Sequence, residues 1–299
     1  MTEVLTTLLQ KCATEKAQDL YFRPLSTGWA IIERLATGLK PLQKVTLSEG
    51  NQWLNQMKYQ GGMDISETRR PQTGRSAIEV AGELIYLRLA TVGDFLNRES
   101  LVVRFIYPIG QTYHCDDSQI LSRLMQLIQQ PGLLLFAGPT GSGKTTSLYY
   151  LAEQVMQDKM VVAIEDPIEI QQPAFLQLQV NEAAGLTYAA LLKISLRLRP
   201  DTLIIGEIRD LQTAQHAVSA ALSGHLVLST IHARSTTGVM DRLLDLGISH
   251  SQLTACLAGV AYQSLVVEGQ NVAAHYELAT AQQLEEADHQ DKNHCTIQY

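Results

Sequence analysis

The chain has 299 residues, of which 45% are hydrophobic, and this supplies enough apolar side chains for cores in two domains of ordinary size. Its 30 acidic residues outnumber 23 lysines and arginines, so the net charge of -7 does not favour a nucleic-acid backbone as partner. Four scattered cysteines, and no stretch near the ~18 apolar residues of a membrane span, predict a globular cytoplasmic protein whose membrane contact is peripheral.

Residues 1–106 are predicted to form a first domain of mixed α/β structure. Apolar residues recur at helical spacing in 1–20 and 48–58, which predicts two helices. Alternating and β-branched residues predict strands at 19–22, 29–32, 77–80, 84–89 and 100–105. Pro108 and Gly110 then break the chain, and residues 107–112 are predicted to be a linker.

The second domain is predicted at 113–278 and begins with a helix that Asp117 or Ser118 caps. Short apolar runs then alternate with helical patterns, at 133–137, 161–164, 203–205 and 226–228. Runs that are apolar on both faces are typical of a parallel sheet covered by helices. Residues 279–299 are mostly polar, a composition typical of a disordered tail.

The residues from Gly138 to Thr145 fit the phosphate-loop pattern G-x-x-x-x-G-K-[ST] without a gap. An apolar run precedes them and a helical pattern follows at 146–157, so the glycines lie on a strand-to-helix turn rather than on a turn that binds nothing. The amides of such a loop bind an anion, Lys144 adds a charge for the outer phosphates, and Thr145 offers a hydroxyl to Mg²⁺. The predicted nucleotide-binding residues are Gly138, Pro139, Thr140, Gly141, Ser142, Gly143, Lys144, Thr145 and Thr146.

Polar residues follow three later predicted strands, at the edge where an open α/β sheet collects its ligand groups. Glu165 follows one strand, Glu207 follows the next, and His232 ends a third. Hydrolysis of a phosphoanhydride needs carboxylates that hold Mg²⁺ or the attacking water, and cations that neutralise the transition state. We therefore predict that Glu165 orients the water and that Glu207 acts mainly through Mg²⁺. For His225 and His232, a structural role is the alternative to a catalytic one.

Four ordered blocks resemble the secretion ATPases of type II secretion, type IV pilus assembly and competence systems. These blocks are GPTGSGKTT at 138–146, IEDPIE at 164–169, LRLRPDTLIIGEIRD at 196–210 and SGHLVLSTIHA at 223–233. In that family they are the Walker A, Asp, Walker B and His boxes. Two upstream segments, 18–21 and 70–75, also resemble family signatures, so the match covers about 17–265. Further motif residues in these boxes are Asp166, Glu169, Arg209, Asp210, His225 and His232.

The resemblance implies a homo-hexameric ATPase that uses ATP and Mg²⁺. It implies a PAS-like first domain and a RecA-like P-loop second domain with a mostly parallel sheet. Arginines of the first domain complete the nucleotide site in this family, and Arg88 and Arg104 fall on those positions. The implied partner is a polytopic inner-membrane platform protein, through which pilin-like subunits are moved indirectly at the inner face of the plasma membrane. No direct binding of nucleic acid is expected.

The sequence differs from the family pattern at several positions, and these differences help to identify the family member that the chain resembles most. The paired cysteines that bind zinc in secretion and pilus assembly members are absent, so no zinc is expected. Gly206 stands where an ordinary Walker B aspartate would be, and Gln263-Ser264-Leu265 replaces a frequent Gln-Arg-Leu. Lys193, Leu198 and Arg199 replace an Arg, a Gln and an Asp of the Walker B lead-in.

A short chain with the Pro-Gln-x-Gly-Arg signature and no zinc cluster most resembles the competence ATPase of Gram-positive bacteria, which assembles a pilus-like pseudopilus for DNA uptake. A pilus retraction ATPase and a type II secretion ATPase are alternatives within the family. From other classes, a RecA-like nucleic-acid motor and a scaffold that binds ATP but hydrolyses it weakly stay open. The altered Walker B lead-in keeps the scaffold open, and no basic stripe interleaved with aromatic residues supports the nucleic-acid motor.

Overall fold

The computed structural model describes residues 2–35, 37–108, 113–155, 159–268, 271–284 and 286. The chain divides into two compact units, Met1–Pro108 and Ile109–Tyr299, each with a sheet and a core of its own. Residues 109–112 of the predicted linker lie outside the described residues. The predicted α/β class is confirmed.

The first unit is built on an antiparallel sheet that is covered on one face by helices. In its described part the helices are α1 (Glu3–Thr14) and α2 (Leu47–Gln60), and the strands are β1 (Asp19–Pro24), β2 (Trp29–Leu35), β3 (Gly38–Val45), β4 (Gln72–Val80), β5 (Glu83–Gly93) and β6 (Glu99–Ile106). The order across this six-stranded sheet is β3-β2-β1-β6-β5-β4. Leu9 of α1, Trp53 of α2 and Phe22 of β1 are buried in the core, and alternate residues of the strands face the other way.

The sequence pattern does not predict strand β3. Its residues are mostly exposed because β3 is an edge strand, so the apolar alternation that marks a half-buried strand is missing. Pro41 lies within it, beside an irregularity in the pairing with β2, and proline is tolerated at such edges because no ladder hydrogen bond is lost. An edge strand of this kind can be identified only from its backbone pairing with the neighbouring strand, here β2.

Two residues of the segment that resembles the Pro-Gln-x-Gly-Arg signature have structural contacts. The Gln72 side-chain amide donates from Nε2 to the carbonyl oxygen of Glu67 at 2.8 Å, which ties down the preceding loop. Gly74 has no room for a side chain, because a Cβ there would lie 2.4 Å from the carbonyl oxygen of Gly61. Arg75 of the same segment is exposed. The signature therefore combines loop bracing with a solvent-facing cation.

The second unit is built on a mostly parallel sheet. Its described strands are β7 (Gly132–Ala137), β8 (Val161–Glu165), β9 (Leu176–Gln179), β10 (Thr202–Ile208), β11 (Leu226–Ile231), β12 (Leu257–Glu268) and β13 (Asn271–Thr280), and its helices are α3 (Ser118–Leu127), α4 (Lys144–Val155), α5 (Tyr188–Ser195), α6 (Leu211–Leu222), α7 (Thr236–Asp245) and α8 (His250–Cys256). The order is β13-β12-β7-β11-β10-β8-β9, and β13 runs antiparallel to β12. Alternate residues of β7 enter two different apolar clusters, so helices cover both faces of the sheet.

The four predicted runs are the parallel strands β7, β8, β10 and β11, whereas β9, β12 and β13 are additional. β9 and β13 are the outer strands, where the apolar signal is weak. Thr280 is the last residue of β13 and Leu284 is buried against the core, so residues 279–284 of the predicted tail belong to the second unit. Residues 285 and 287–299 of that tail lie outside the described residues. Asp117, one of two predicted caps, accepts a hydrogen bond from the Gln119 amide at 2.8 Å. No helix in the described part of the chain is long and apolar enough to cross a membrane.

Candidate nucleotide site

The phosphate loop joins the buried central strand β7 to helix α4. Gly138, Gly141 and Gly143 have φ angles of 139°, 80° and 84°, in the region that favours glycine. A Cβ on Gly138 would lie 2.2 Å from the carbonyl oxygen of Gln263, whereas nothing lies within 4 Å of a Cβ placed on Gly141. Pro139, Thr140, Gly141 and Thr146 are exposed. The loop is therefore held tightly at its base and is open at its tip.

Gln263, on the neighbouring strand β12, braces the loop. Its side chain is buried, and Nε2 donates to the carbonyl oxygen of Ser142 at 2.7 Å. Within the described residues, Gln263 Oε1 and Ser142 Oγ are buried atoms without a hydrogen-bond partner. Buried polar atoms are normally paired, and these two unpaired atoms belong to the phosphate loop and to the residue that braces it. The sequence pattern does not predict this role, since the only signal there is the departure from Gln-Arg-Leu.

The side chain of Lys144 lies folded against the loop. Its ammonium donates to the carbonyl oxygens of Gly138 and Pro139 at 2.9 and 2.8 Å. Burial lowers the pKa of Lys144, and the charges of Glu207 and Glu169 oppose this shift. A cation held at the base of the loop is placed to follow the phosphates of a nucleotide.

The hydroxyl of Thr145 donates to the Glu169 carboxylate at 2.9 Å, so the hydroxyl predicted for Mg²⁺ lies beside an acid of the Asp box. Among the described residues, no group of three or more His, Cys, Asp and Glu side chains is placed to hold a metal ion. Mg²⁺ in phosphoryl-transfer sites keeps several waters and phosphate oxygens as ligands, so one or two protein ligands suffice. The loop, Lys144 and Thr145 fit a nucleotide with Mg²⁺.

Glu165, the last residue of β8, is buried, with 3% of its surface exposed. It accepts a hydrogen bond from the hydroxyl of Tyr149, which lies on α4. Asp166, the next residue, is exposed. The strand end thus points one carboxylate into the protein, where its orientation is constrained, and one into solvent.

Glu207 contacts two other residues predicted from the motifs. Its Oε2 lies 2.6 Å from Arg209 Nε and its Oε1 lies 3.1 Å from His232 Nε2. The hydrogen bond with Glu207 raises the pKa of Arg209. β10 and β11 are adjacent parallel strands, which is why the Walker B acid and the His box meet. The side chains of Arg209 and His232 are mostly exposed, so solvent reaches this cluster.

Two further motif residues contact the ends of helix α6. Asp210 is the N-cap, and its carboxylate accepts from the backbone amide of Thr213 at 2.8 Å. His225 donates from Nδ1 to the carbonyl oxygen of Ala220 at 3.0 Å, near the C-terminus of the helix. Both contacts stabilise the ends of the helix. The positions of Asp210 and His225 are therefore explained by a structural role alone.

Asp210→Ala is expected to destabilise the second unit by about 1 kcal/mol, because an N-cap side chain satisfies an otherwise unpaired helix amide. Chemical denaturation followed by circular dichroism measures this change. Asp210→Asn keeps a capping oxygen and should lose much less stability. Equal stability of the alanine and asparagine variants would show that the cap contributes nothing.

Within the first unit, charged residues lie side by side across the sheet. Asp19 is paired with Arg34 on one side and with Arg104 on the other, Arg104 is paired with Arg88, and Arg88 with Arg75. Directly paired residues share a face of a sheet, so four arginines and one aspartate form a single row. Arg104 Nε donates to Asp19 Oδ1 at 2.8 Å. The family resemblance identifies Arg88 and Arg104 as candidate site residues. That Arg34 and Arg75 lie in the same row is known only from the strand register.

Comparison with known proteins places these features in context. The family described as "Type II/IV secretion system protein" matches residues 1–298. Competence protein ComGA of Streptococcus pneumoniae is 41% identical over 267 residues, which are 89% of this chain and 85% of that protein. ComGA of Bacillus subtilis is 36% identical over 271 residues, 88% of this chain and 76% of that protein. The crystal structure of the Legionella pneumophila ATPase DotB is similar in fold, with a TM-score of 0.74 at 20% identity, covering 94% of this chain and 82% of that one.

Proposed function

The chain belongs to the type II/IV secretion system protein family, and on that premise we propose that it is a hexameric ATPase motor that drives assembly of a competence pseudopilus for DNA uptake. The ATPase proposal depends on one arrangement: a phosphate loop holds Lys144, and two other strands of the same sheet carry the carboxylates of Glu165 and Glu207 at or near their carboxyl ends. The competence proposal depends on the similarity to the two ComGA proteins.

We propose that the loop amides and Lys144 bind the phosphates of ATP, and that Thr145 and Glu207 hold Mg²⁺, partly through water. When bound, this ion withdraws charge from the phosphate oxygens. Glu165 orients the attacking water from a buried and therefore constrained position. His232 contacts the same carboxylate as Arg209, so both side chains lie next to the proposed Mg²⁺ ligand Glu207.

Glu207→Gln is expected to bind ATP and to hydrolyse it at least about tenfold more slowly, because a carboxamide attracts Mg²⁺ and its water much less than a carboxylate does. Phosphate release and retention of labelled ATP measure the two effects. Glu182→Gln, which changes an exposed acid of the second unit, is the matched control and should keep the normal rate. A normal rate in Glu207→Gln would remove this acid from the reaction.

We propose a polytopic membrane platform protein as partner at the cytoplasmic face of the membrane, with pilin-like subunits moved through it. A transformable host that lacks its own competence ATPase tests this: the chain should restore surface pseudopilus and DNA uptake. Faster loss of existing filaments without new ones would instead favour a retraction motor. Binding to single-stranded DNA that weakens with added salt would favour a nucleic-acid motor.

A further inference from the structure

A hydrogen-bonded line of three side chains ends on Glu165. Tyr149 is fully buried on α4, with 0% of its surface exposed, and its hydroxyl donates to Glu165 Oε1. Gln177, on the outer strand β9, donates from Nε2 to the Tyr149 hydroxyl at 2.7 Å. The same Nε2 also donates to the carbonyl oxygen of Ile170 at 2.7 Å. These hydrogen bonds therefore connect the outer strand of the sheet, through the helix that follows the phosphate loop, to the carboxylate of Glu165.

The direction of these hydrogen bonds is fixed by the groups themselves. A tyrosine hydroxyl has one proton, which it gives to Glu165, and its oxygen accepts from the Gln177 amide. Burial, together with the charge of Glu165, raises the pKa of Tyr149 far above its ordinary value. The hydroxyl therefore keeps its proton and stays a donor at neutral pH.

A donor on a rigid ring constrains a carboxylate more than solvent does. Hydrogen bonds to a charged acceptor are stronger than neutral ones, and a carboxylate in a buried place needs such a partner to be stable there. Tyr149 belongs to the helix whose first residue is Lys144. The ring thus couples the position of the carboxylate at the end of β8 to that of the phosphate loop.

We propose that Tyr149, itself held by Gln177, is a positioning residue that sets the orientation of the Glu165 carboxylate toward the attacking water. This inference rests on the proposed function, in which Glu165 orients that water. A shift of ~1 Å in such a group costs on the order of a hundredfold in rate, so a lost hydrogen bond has a measurable effect on turnover.

Tyr149→Phe removes the hydroxyl and keeps the buried ring. We expect kcat for ATP hydrolysis to fall about tenfold and KM for ATP to change less than about twofold, because the phosphate loop is untouched. Gln177→Ala loosens the hydroxyl without removing it and should lower kcat by about threefold, which gives a second measurement if the phenylalanine variant folds poorly. Tyr150→Phe removes a hydroxyl at the next position of the helix and should leave kcat unchanged.

A double-mutant cycle separates positioning from a merely structural effect. If Tyr149 acts through Glu165, Tyr149→Phe lowers the rate of the wild-type protein but does not lower the residual rate of Glu165→Gln any further. A merely structural effect would lower both rates by the same factor and overturn the proposal. Normal kcat in both Tyr149→Phe and Gln177→Ala, with Glu165→Gln impaired, would also overturn it and leave the ATPase proposal standing. Normal hydrolysis by Glu165→Gln would overturn the proposed catalytic site and the positioning role together.

Discussion

Lys144→Ala is expected to lower ATP turnover by at least about a thousandfold. The ammonium lies 2.9 and 2.8 Å from two carbonyl oxygens of the phosphate loop, so it is held against the loop that we propose to bind the phosphates of ATP. Charge that develops on the transferred phosphoryl group must be neutralised at close range, and alanine provides no cation there. Phosphate release at saturating ATP and Mg²⁺ measures the loss.

The matched control for this variant is Lys159→Ala, which removes an exposed lysine from the same unit and should keep normal turnover. Nucleotide affinity should fall less than turnover in Lys144→Ala, because the loop amides remain. Fluorescent-nucleotide titration measures that affinity. Turnover within about tenfold of wild type would exclude this loop as the catalytic one.

Arg88→Ala and Arg104→Ala are each expected to lower turnover by about a hundredfold or more, while nucleotide affinity changes less than about threefold. The reason is that, in the proposed ring, these arginines would neutralise the phosphoryl group, and such a cation stabilises the transition state more than the bound ground state. The two residues are direct cross-strand partners on one face of the first sheet, and the Arg104 side chain is 54% exposed although Asp19 holds its Nε. Steady-state kinetics together with nucleotide titration measure the split.

Arg23→Ala provides the control, since Arg23 is an exposed arginine further along the same strand as Asp19. If the arginines act within a ring, hydrolysis per subunit should also rise with protein concentration, and ATP should shift the chain toward a hexamer in sedimentation experiments. A fragment without residues 1–106 should hydrolyse ATP poorly. Should that fragment match the whole protein while monomeric, the arginines would have no part in the reaction and a self-contained ATPase would replace the ring.

Several features of the protein are readable from local sequence. The strands β7, β8, β10 and β11 are predicted because their residues are apolar on both faces, which is typical of a parallel sheet covered by helices. The phosphate loop is predicted because glycine at fixed spacing is needed for a backbone with φ angles such as 139° at Gly138. The four motif blocks also identify the family, which the match over residues 1–298 confirms. Each of these signals lies within a short window of the chain.

The features that only the tertiary structure decides are contacts between distant parts of the chain. Gln263 braces the loop residue Ser142 across a separation of 121 positions, and the sequence near either residue contains no sign of the other. The row that joins Arg75 to Arg88 depends on strand register, and a shift of one residue would turn each side chain to the opposite face. Tyr149 looks like an ordinary core residue of a helix until β8 places Glu165 against its hydroxyl. Local sequence patterns predict burial and backbone conformation. Which side chains form hydrogen bonds with each other depends on how distant segments of the chain pack together.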